Sequence, residues 1–239
     1  MQLLSLRNGF LVLTFSAIAS AGGLITGCTS SASQIQSQAP EATATNANDK
    51  QMMNHGGGMM NHGGSMMNHS MGMDLGPADA NFDLRFIDAM IPHHQGAVEM
   101  AKEAQQKSKH PEIKKLADNI IKSQNQEITQ MKQWRQAWYP KAGNKPMAYN
   151  SQMGHMMEMS SDQMQAMMMS QNLGVADAEF DLRFINAMIP HHQGAVTMAK
   201  DALSKSKRPE IKKLAQEIIQ AQNIEIKQMQ QWRKSWYKK

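Results

Sequence analysis

Apolar residues recur along this chain at the three-and-four spacing of an amphipathic helix, in two adjoining blocks. In the first, Phe82, Phe86, Met90, His93, His94, Ala97, Met100, Ala101 and Ala104 fall on one side of a helix. Asp79 is placed to cap its start. Pro92 lies inside the pattern and predicts a kink, because proline has no N–H to donate to the preceding turn. The pattern lapses near Lys109 and His110, and Pro111 followed by Glu112 suits the first turn of a second helix. That helix carries Ile113, Leu116, Ile120, Gln124, Glu127, Met131, Trp134 and Trp138 on one side and ends before Pro140. The connection is two or three residues, which makes the helices antiparallel neighbours.

The whole pattern then repeats. Residues 82–139 align without gaps to residues 180–237, at an offset of 98, with 43 of 58 positions identical. One such hairpin cannot bury its apolar side alone, whereas two can close a four-helix bundle. The expected fold is therefore all-α, with two tandem antiparallel hairpins in one bundle; pairing of each hairpin with a second chain stays open. The expected organisation is a signal segment at 1–28, a disordered tether with a Met/His/Gly-rich tract at 29–76, the first hairpin at 77–139, a Met-rich linker at 140–174 and the second hairpin at 175–239. The last part of the linker could instead form a short amphipathic helix on the bundle.

The register of a hairpin places its polar residues. With the turn near residue 110, residue i faces about residue 220 minus i, since both helices rise equally. Met90 then lies opposite Met131, and His93 and His94 lie opposite Gln126 and Glu127. Met90 and His94 share a face, as do Glu127 and Met131. Met90, His94, Glu127 and Met131 should meet at one level, and Met188, His192, Glu225 and Met229 should do so in the second copy. Two thioethers and an imidazole suit three-coordinate Cu(I), or its analogue Ag(I). Glu127 and Glu225 are expected to accept the other ring N–H of the histidine and fix its tautomer. His93 is a reserve ligand or a hydrogen-bonded core residue, and Met100 is as much core filler as ligand. Trp134 and Trp138 are expected as core at the end of the bundle.

Composition sharpens this picture. The chain has 24 methionines in 239 residues and a single cysteine. Many methionines stand beside histidines in a glycine-rich tract where helix formation is costly and core packing gives them no role. Met52-Met53-Asn54-His55, Met59-Met60-Asn61-His62 and Met66-Met67-Asn68-His69 repeat every seven residues. The linker adds a second run from Met153 to Met169 that includes His155 and Met156. Thioethers and imidazoles in flexible chain are soft-metal ligands, so Met52, Met53, His55, Met59, Met60, His62, Met66, Met67, His69, His155 and Met156 join the candidates; Cu(II) binding through the histidines stays open. A sacrificial oxidant sink would need the methionines but not the histidines.

The N-terminus reads as an export signal: Arg7, then an apolar stretch too short to span a bilayer, then Ile25-Thr26-Gly27-Cys28, which resembles a bacterial lipobox. Lipidation at Cys28 would anchor the protein at the membrane; cleavage after Ala21 is the rival site. Either way the chain is exported, and thioethers outlast thiols in an oxidising compartment. The net charge of +5 is spread as alternating signs along the helices, a solvated face and not a nucleic-acid patch. The helices carry no Glu-x-x-His di-iron pattern, and the chain offers no thiol nucleophile, phosphate loop or serine triad, so no enzyme chemistry is expected.

Phe86-x-x-x-Met90-Ile91-Pro92-His93-His94-Gln95-Gly96-Ala97-Val98-x-Met100-Ala101, followed by Glu127-x-x-x-Met131-x-x-Trp134, resembles the bacterial His-His/Met four-helix family catalogued as a domain of unknown function with a ferritin-like fold. Two such domains with Met/His-rich extensions and an export signal look like periplasmic copper-binding members of cyanobacteria. The resemblance implies Cu(I) and Ag(I) binding, a role in copper resistance, and ligands among Met90, His93, His94, Met100, Met131, Met188, His191, His192, Met198 and Met229. Copper ions are then the main partner, with a copper exporter or sensor in the envelope as the exchange partner and the membrane reached only through a lipid anchor. Two other readings stay open: a helical module whose methionines dock a protein partner, and an oxidant-scavenging lipoprotein.

Overall fold

The computed structural model describes residues 74–239. Arg7, Cys28 and the tract residues Met52, Met53, His55, Met59, Met60, His62, Met66, Met67 and His69 lie outside the described residues. Within them the elements are α1 (Phe82–Lys107), α2 (Pro111–Trp138), β1 (Met147–Asn150), β2 (His155–Glu158), α3 (Ser161–Met168), α4 (Phe180–Lys205) and α5 (Pro209–Tyr237). α1 runs on through Pro92 and α4 through Pro190. Proline stands at the start of α2 and of α5, where its missing N–H costs nothing. No described helix is long and apolar enough to cross a membrane.

α1 and α2 form one hairpin, α4 and α5 the other, and the hairpins meet through α1 and α4. They meet head to tail. One core cluster joins Phe82, Phe86, Met90 and Met131, from the open end of the first hairpin, to Met198, Ala202, Ile211 and Leu214, from the turn end of the second. The other joins Met100, Ala104, Ile113 and Leu116 to Phe180, Phe184, Met188 and Met229. The two clusters are related by exchange of the repeats, and the chain thus closes its own four-helix bundle. Each Phe or Met fully buried in them contributes about 1.5–3 kcal/mol.

The ends are fastened by charge. Arg208, in the second turn, reaches Asp83 at 3.5 Å and lies 4.2 Å over the Trp138 ring, which stacks on Trp134. At the other end His110 stacks on Trp236 at 4.0 Å and the Lys109 backbone N–H donates to Asp181. The tryptophans therefore close the bundle ends, half-buried rather than fully enclosed.

Asp79 does not cap α1. Its carboxylate accepts from the Asn81 N–H and pairs with Arg85, and the helix begins three residues later. Arg85 is fully buried because it ties down the strap before α1: its guanidinium donates to Leu75 O at 2.6 Å and Pro77 O at 2.7 Å. Leu75 belongs to the core, so the folded unit starts upstream of residue 77. Arg183 holds the strap at Leu173 and Val175 in the same way. Gly76, at φ +75°, sits beneath the Tyr149 ring, where a Cβ would collide with it.

The linker is ordered. A two-stranded antiparallel hairpin pairs Tyr149 with Met156 and Asn150 with His155. Ser160 and Gln163 form a capping box that starts α3, and α3 lies against α1 with Met167 and Met159 buried in the first core cluster. The amphipathic-helix alternative is therefore the one the linker takes, because its methionines find apolar surface on α1 that the second hairpin leaves uncovered. Asp88 latches it: this buried carboxylate binds Arg135 through two guanidinium nitrogens and accepts the Met147 N–H at 2.9 Å, while Arg135 also donates to Gly143 O and Lys145 O. In the second copy Asn186 stands at this position, and Arg233 meets it in the open at 3.3 Å. Removing one partner of a buried ion pair strands the other, so Asp88→Ala should lower stability by roughly 3 kcal/mol. Asn186→Ala should cost under about 1 kcal/mol. Urea unfolding of the two variants measures both; equal losses would show that Asp88 is no latch.

Candidate metal centre

The two repeats cross at histidine. α1 presents His93 and α4 presents His191, and their rings meet at 3.9 Å between centroids. His94 and His192 lie on either side, turned toward α2 and α5. The His94 Nε2–H donates to Glu127 Oε2 at 2.6 Å, and the His192 Nε2–H donates to Glu225 Oε2 at 2.7 Å. Glu127 and Glu225 thus fill the positions that the hairpin register gives them. All four imidazoles are fully buried, or within 1% of it.

Position and partner decide what each ring can do. A carboxylate accepting at Nε2 fixes the proton there and leaves Nδ1 with its lone pair. In His94 and His192 that Nδ1 is buried without a hydrogen-bond partner among the described residues. His191 donates Nε2–H to Met168 O at 3.1 Å and likewise leaves Nδ1 without a partner. His93 has no partner at either nitrogen among the described residues. Gln124 and Gln222, buried on α2 and α5, each have a side-chain carbonyl oxygen without a partner among the described residues as well.

Burial pushes the His93 imidazole well below its usual pKa of 6.5, and the neighbouring His191, His94 and His192 push the same way. His191 is lowered to about 3, first by burial and then by His192. The central rings are therefore neutral at physiological pH, the state in which imidazole is a ligand.

The thioethers flank them. Met90, Met131, Met100, Met188, Met198 and Met229 are all fully buried. Met90 and Met131 share the first cluster with Met198, and Met188 and Met229 share the second with Met100. Met100 and Met198 thus share a cluster with the thioethers of the opposite hairpin as well as with the turn end of their own, because the hairpins run head to tail. Among the described residues no group of three or more His, Cys, Asp and Glu is placed to hold a metal; thioethers lie outside that set. Soft neutral donors in a buried core fit Cu(I) or Ag(I), whose low charge needs little compensation, and suit a hard cation poorly.

The structure does not bring the linker candidates to this centre. His155 is exposed at the start of β2, with Nδ1 against Met153 O at 3.2 Å, and Met156 is half-buried opposite Tyr149. Sequence reasoning missed the contact between His93 and His191, which pairs positions 98 apart and follows only from the head-to-tail packing. It also missed the Met168 carbonyl, since a backbone acceptor carries no sequence signal.

The sequence profile of the family described as "Domain of unknown function (DUF305)" matches residues 28–135 and 83–233. The chain belongs to the DUF305 family. Among solved structures similar to this DUF305 chain, CopM in the Cu(II)-bound form is 44% identical, covering 65% of this chain and 97% of its own, with a TM-score of 0.52. CopM in a silver-bound form obtained by soaking is 41% identical over the same shares, with a TM-score of 0.51. A curated relative, "Uncharacterized protein L153" of Acanthamoeba polyphaga mimivirus, is 47% identical over 49 residues, 20% of this chain; the match spans 32% of that protein's length.

The neutral histidines of this DUF305 core have a thermodynamic signature. Unfolded, they bind protons near pH 6.5; folded, His191 does so only near 3 and His93 far below 6.5. The unfolded state therefore holds more protons in this window. Stability is full above about pH 6.5 and falls as the pH drops toward 3, by up to ~1.4 kcal/mol per pH unit for each ring. Urea midpoints of the metal-free protein should decline between about pH 6.5 and 5, above the range of ordinary carboxylates. The double variant His93→Gln/His191→Gln should flatten that decline; an unchanged slope would mean that other groups carry it.

Proposed function

We propose that the protein is a non-enzymatic copper-binding protein of the cell envelope, which sequesters Cu(I), and Ag(I) in its place, through thioethers and imidazoles. The observation that carries this reading is the buried Nδ1 of His94 and of His192, without a partner among the described residues, each ring oriented by a glutamate on its Nε2. A buried polar atom without a partner costs about 1–3 kcal/mol, and a soft cation removes that cost. Met90 with Met131, and Met188 with Met229, supply buried sulfur, each pair within one cluster and on the same two helices as His94 and Glu127, or His192 and Glu225. Similarity to CopM, solved with Cu(II) and with silver bound, supports the metal assignment. The Met/His tract would add further ions, and an export signal ending near Cys28 would place the protein where copper resistance is exercised.

An anaerobic competition titration with a Cu(I) chelator tests this. Changing Met90, Met131, Met188 and Met229 to leucine keeps most of the packing and should remove the bundle ions. Glu127→Gln with Glu225→Gln should weaken them about 10–100-fold, by loosening the tautomer of the ligating ring. Unchanged stoichiometry and affinity in both variants would refute the bundle site. If deletion of residues 51–73 also leaves binding unchanged, the copper reading itself is wrong.

A further inference from the structure

The four-helix bundle closes without α3. The two hairpins bury their apolar faces against each other, and α3 is added against α1. Of its eight residues only Met167 is buried, with Met164 and Met168 half-buried and the other five exposed. A groove of about 290 Å³ borders it, between Met164 and the Pro92 and Gln95 side of α1. The chain leaves α3 through Met169 at φ +48°, a left-handed conformation that residues with a side chain rarely adopt, so the seated helix carries strain. Few buried contacts, open space alongside and a strained exit put α3 at the low end of local stability.

What α3 covers is the centre itself. The carbonyl oxygen of Met168, its last residue, accepts the His191 Nε2–H at 3.1 Å. It reaches that ring because residue 96 on α1 is glycine: a Cβ there would collide with the Met168 backbone. His191 is 1% exposed and lies 3.9 Å from His93 between ring centroids. The other two rings turn away, His94 to Glu127 on α2 and His192 to Glu225 on α5. We infer that the bundle opens at α3: the helix lifts from Gly96 as a lid, and small solutes reach His191 through the gap while the two hairpins stay together. Water entering the gap takes over the His191 N–H from Met168, so the open state leaves that proton paired. The inference rests on the copper reading only in naming the solute, Cu(I) or Ag(I), that enters and leaves this way.

Carbethoxylation of the metal-free, full-length protein by diethyl pyrocarbonate, read by mass spectrometry, measures access without copper. Two variants unseat α3 from opposite sides of the contact. Gly96→Ala sets a Cβ against the Met168 backbone while favouring the α1 helix, and Met167→Gln puts a polar side chain where α3 has its buried one. In both, His191 should react at least ~10-fold faster than in the wild type, and the amides of residues 161–169 should exchange faster by a similar factor. His192 and the amides of α4 should keep their wild-type rates. In a second arm, the slow phase of Cu(I) transfer from the loaded protein to excess chelator should quicken at least ~10-fold in both variants, at unchanged stoichiometry. An unchanged His191 rate would overturn the proposal, as would unchanged protection of 161–169 in both variants. Equal acceleration at His192 would show that the hairpins themselves have parted and overturn it too. So would copper transfer at the wild-type rate from variants with a reactive His191. A wild type that binds no Cu(I) would refute the copper reading instead, and the His191 rates would still decide this one.

Discussion

Four imidazoles packed into a buried crossing set the terms for everything around them. A buried ring N–H needs an acceptor, and here the protein itself supplies most of them. Glu127 and Glu225 reach in from the second helix of each hairpin to take two of these protons, and the backbone of Met168 takes a third. α2, α5 and the end of α3 are therefore fixed not only by their apolar faces but by the need to solvate the centre from within. The apolar clusters lie on either side of that centre, and the head-to-tail packing that builds them is what brings His93 against His191.

Much of this was legible in the sequence. The three-and-four spacing marked the helices, Pro111 marked the turn, and the hairpin register put His94 opposite Glu127, because local geometry alone decides those relations. The internal repeat announced a four-helix bundle. Relations between hairpins were not legible: no periodicity says that Met100 packs with Met188 and Met229, or that His93 meets His191. Asp79 misled because a short acid before a helix is as good a partner for a buried arginine as for backbone N–H groups, and Arg85 won it. The linker was ambiguous for a similar reason. Methionine suits a flexible ligand tract and an apolar helix face alike, and only the uncovered surface of α1 decided for the latter.

Near-identity of the repeats makes their differences informative. Asp88 is buried and charged where the linker needs an anchor, while Asn186 suffices where Arg233 faces the open. Burial raises the Asp88 pKa, and Arg135 and the Met147 N–H oppose that rise. At the ends, Arg208 covers Trp138 with a permanent charge, while His110 lies flat on Trp236. The duplication thus supplies symmetry to the centre, and the periphery has departed from it wherever the chain continues differently.

The depth of the histidines has a kinetic meaning as well as a thermodynamic one. His93, His94 and His192 expose no surface at all, and apolar side chains fill the bundle above and below them. An ion lodged among them would sit behind buried side chains on every helix, so its passage would call for the helices to move. Residence time would then follow how often the bundle opens, a collective motion slower than side-chain rearrangement. A site of that kind, if it holds the ion proposed above, would take up and give back its cargo at the pace of its own breathing.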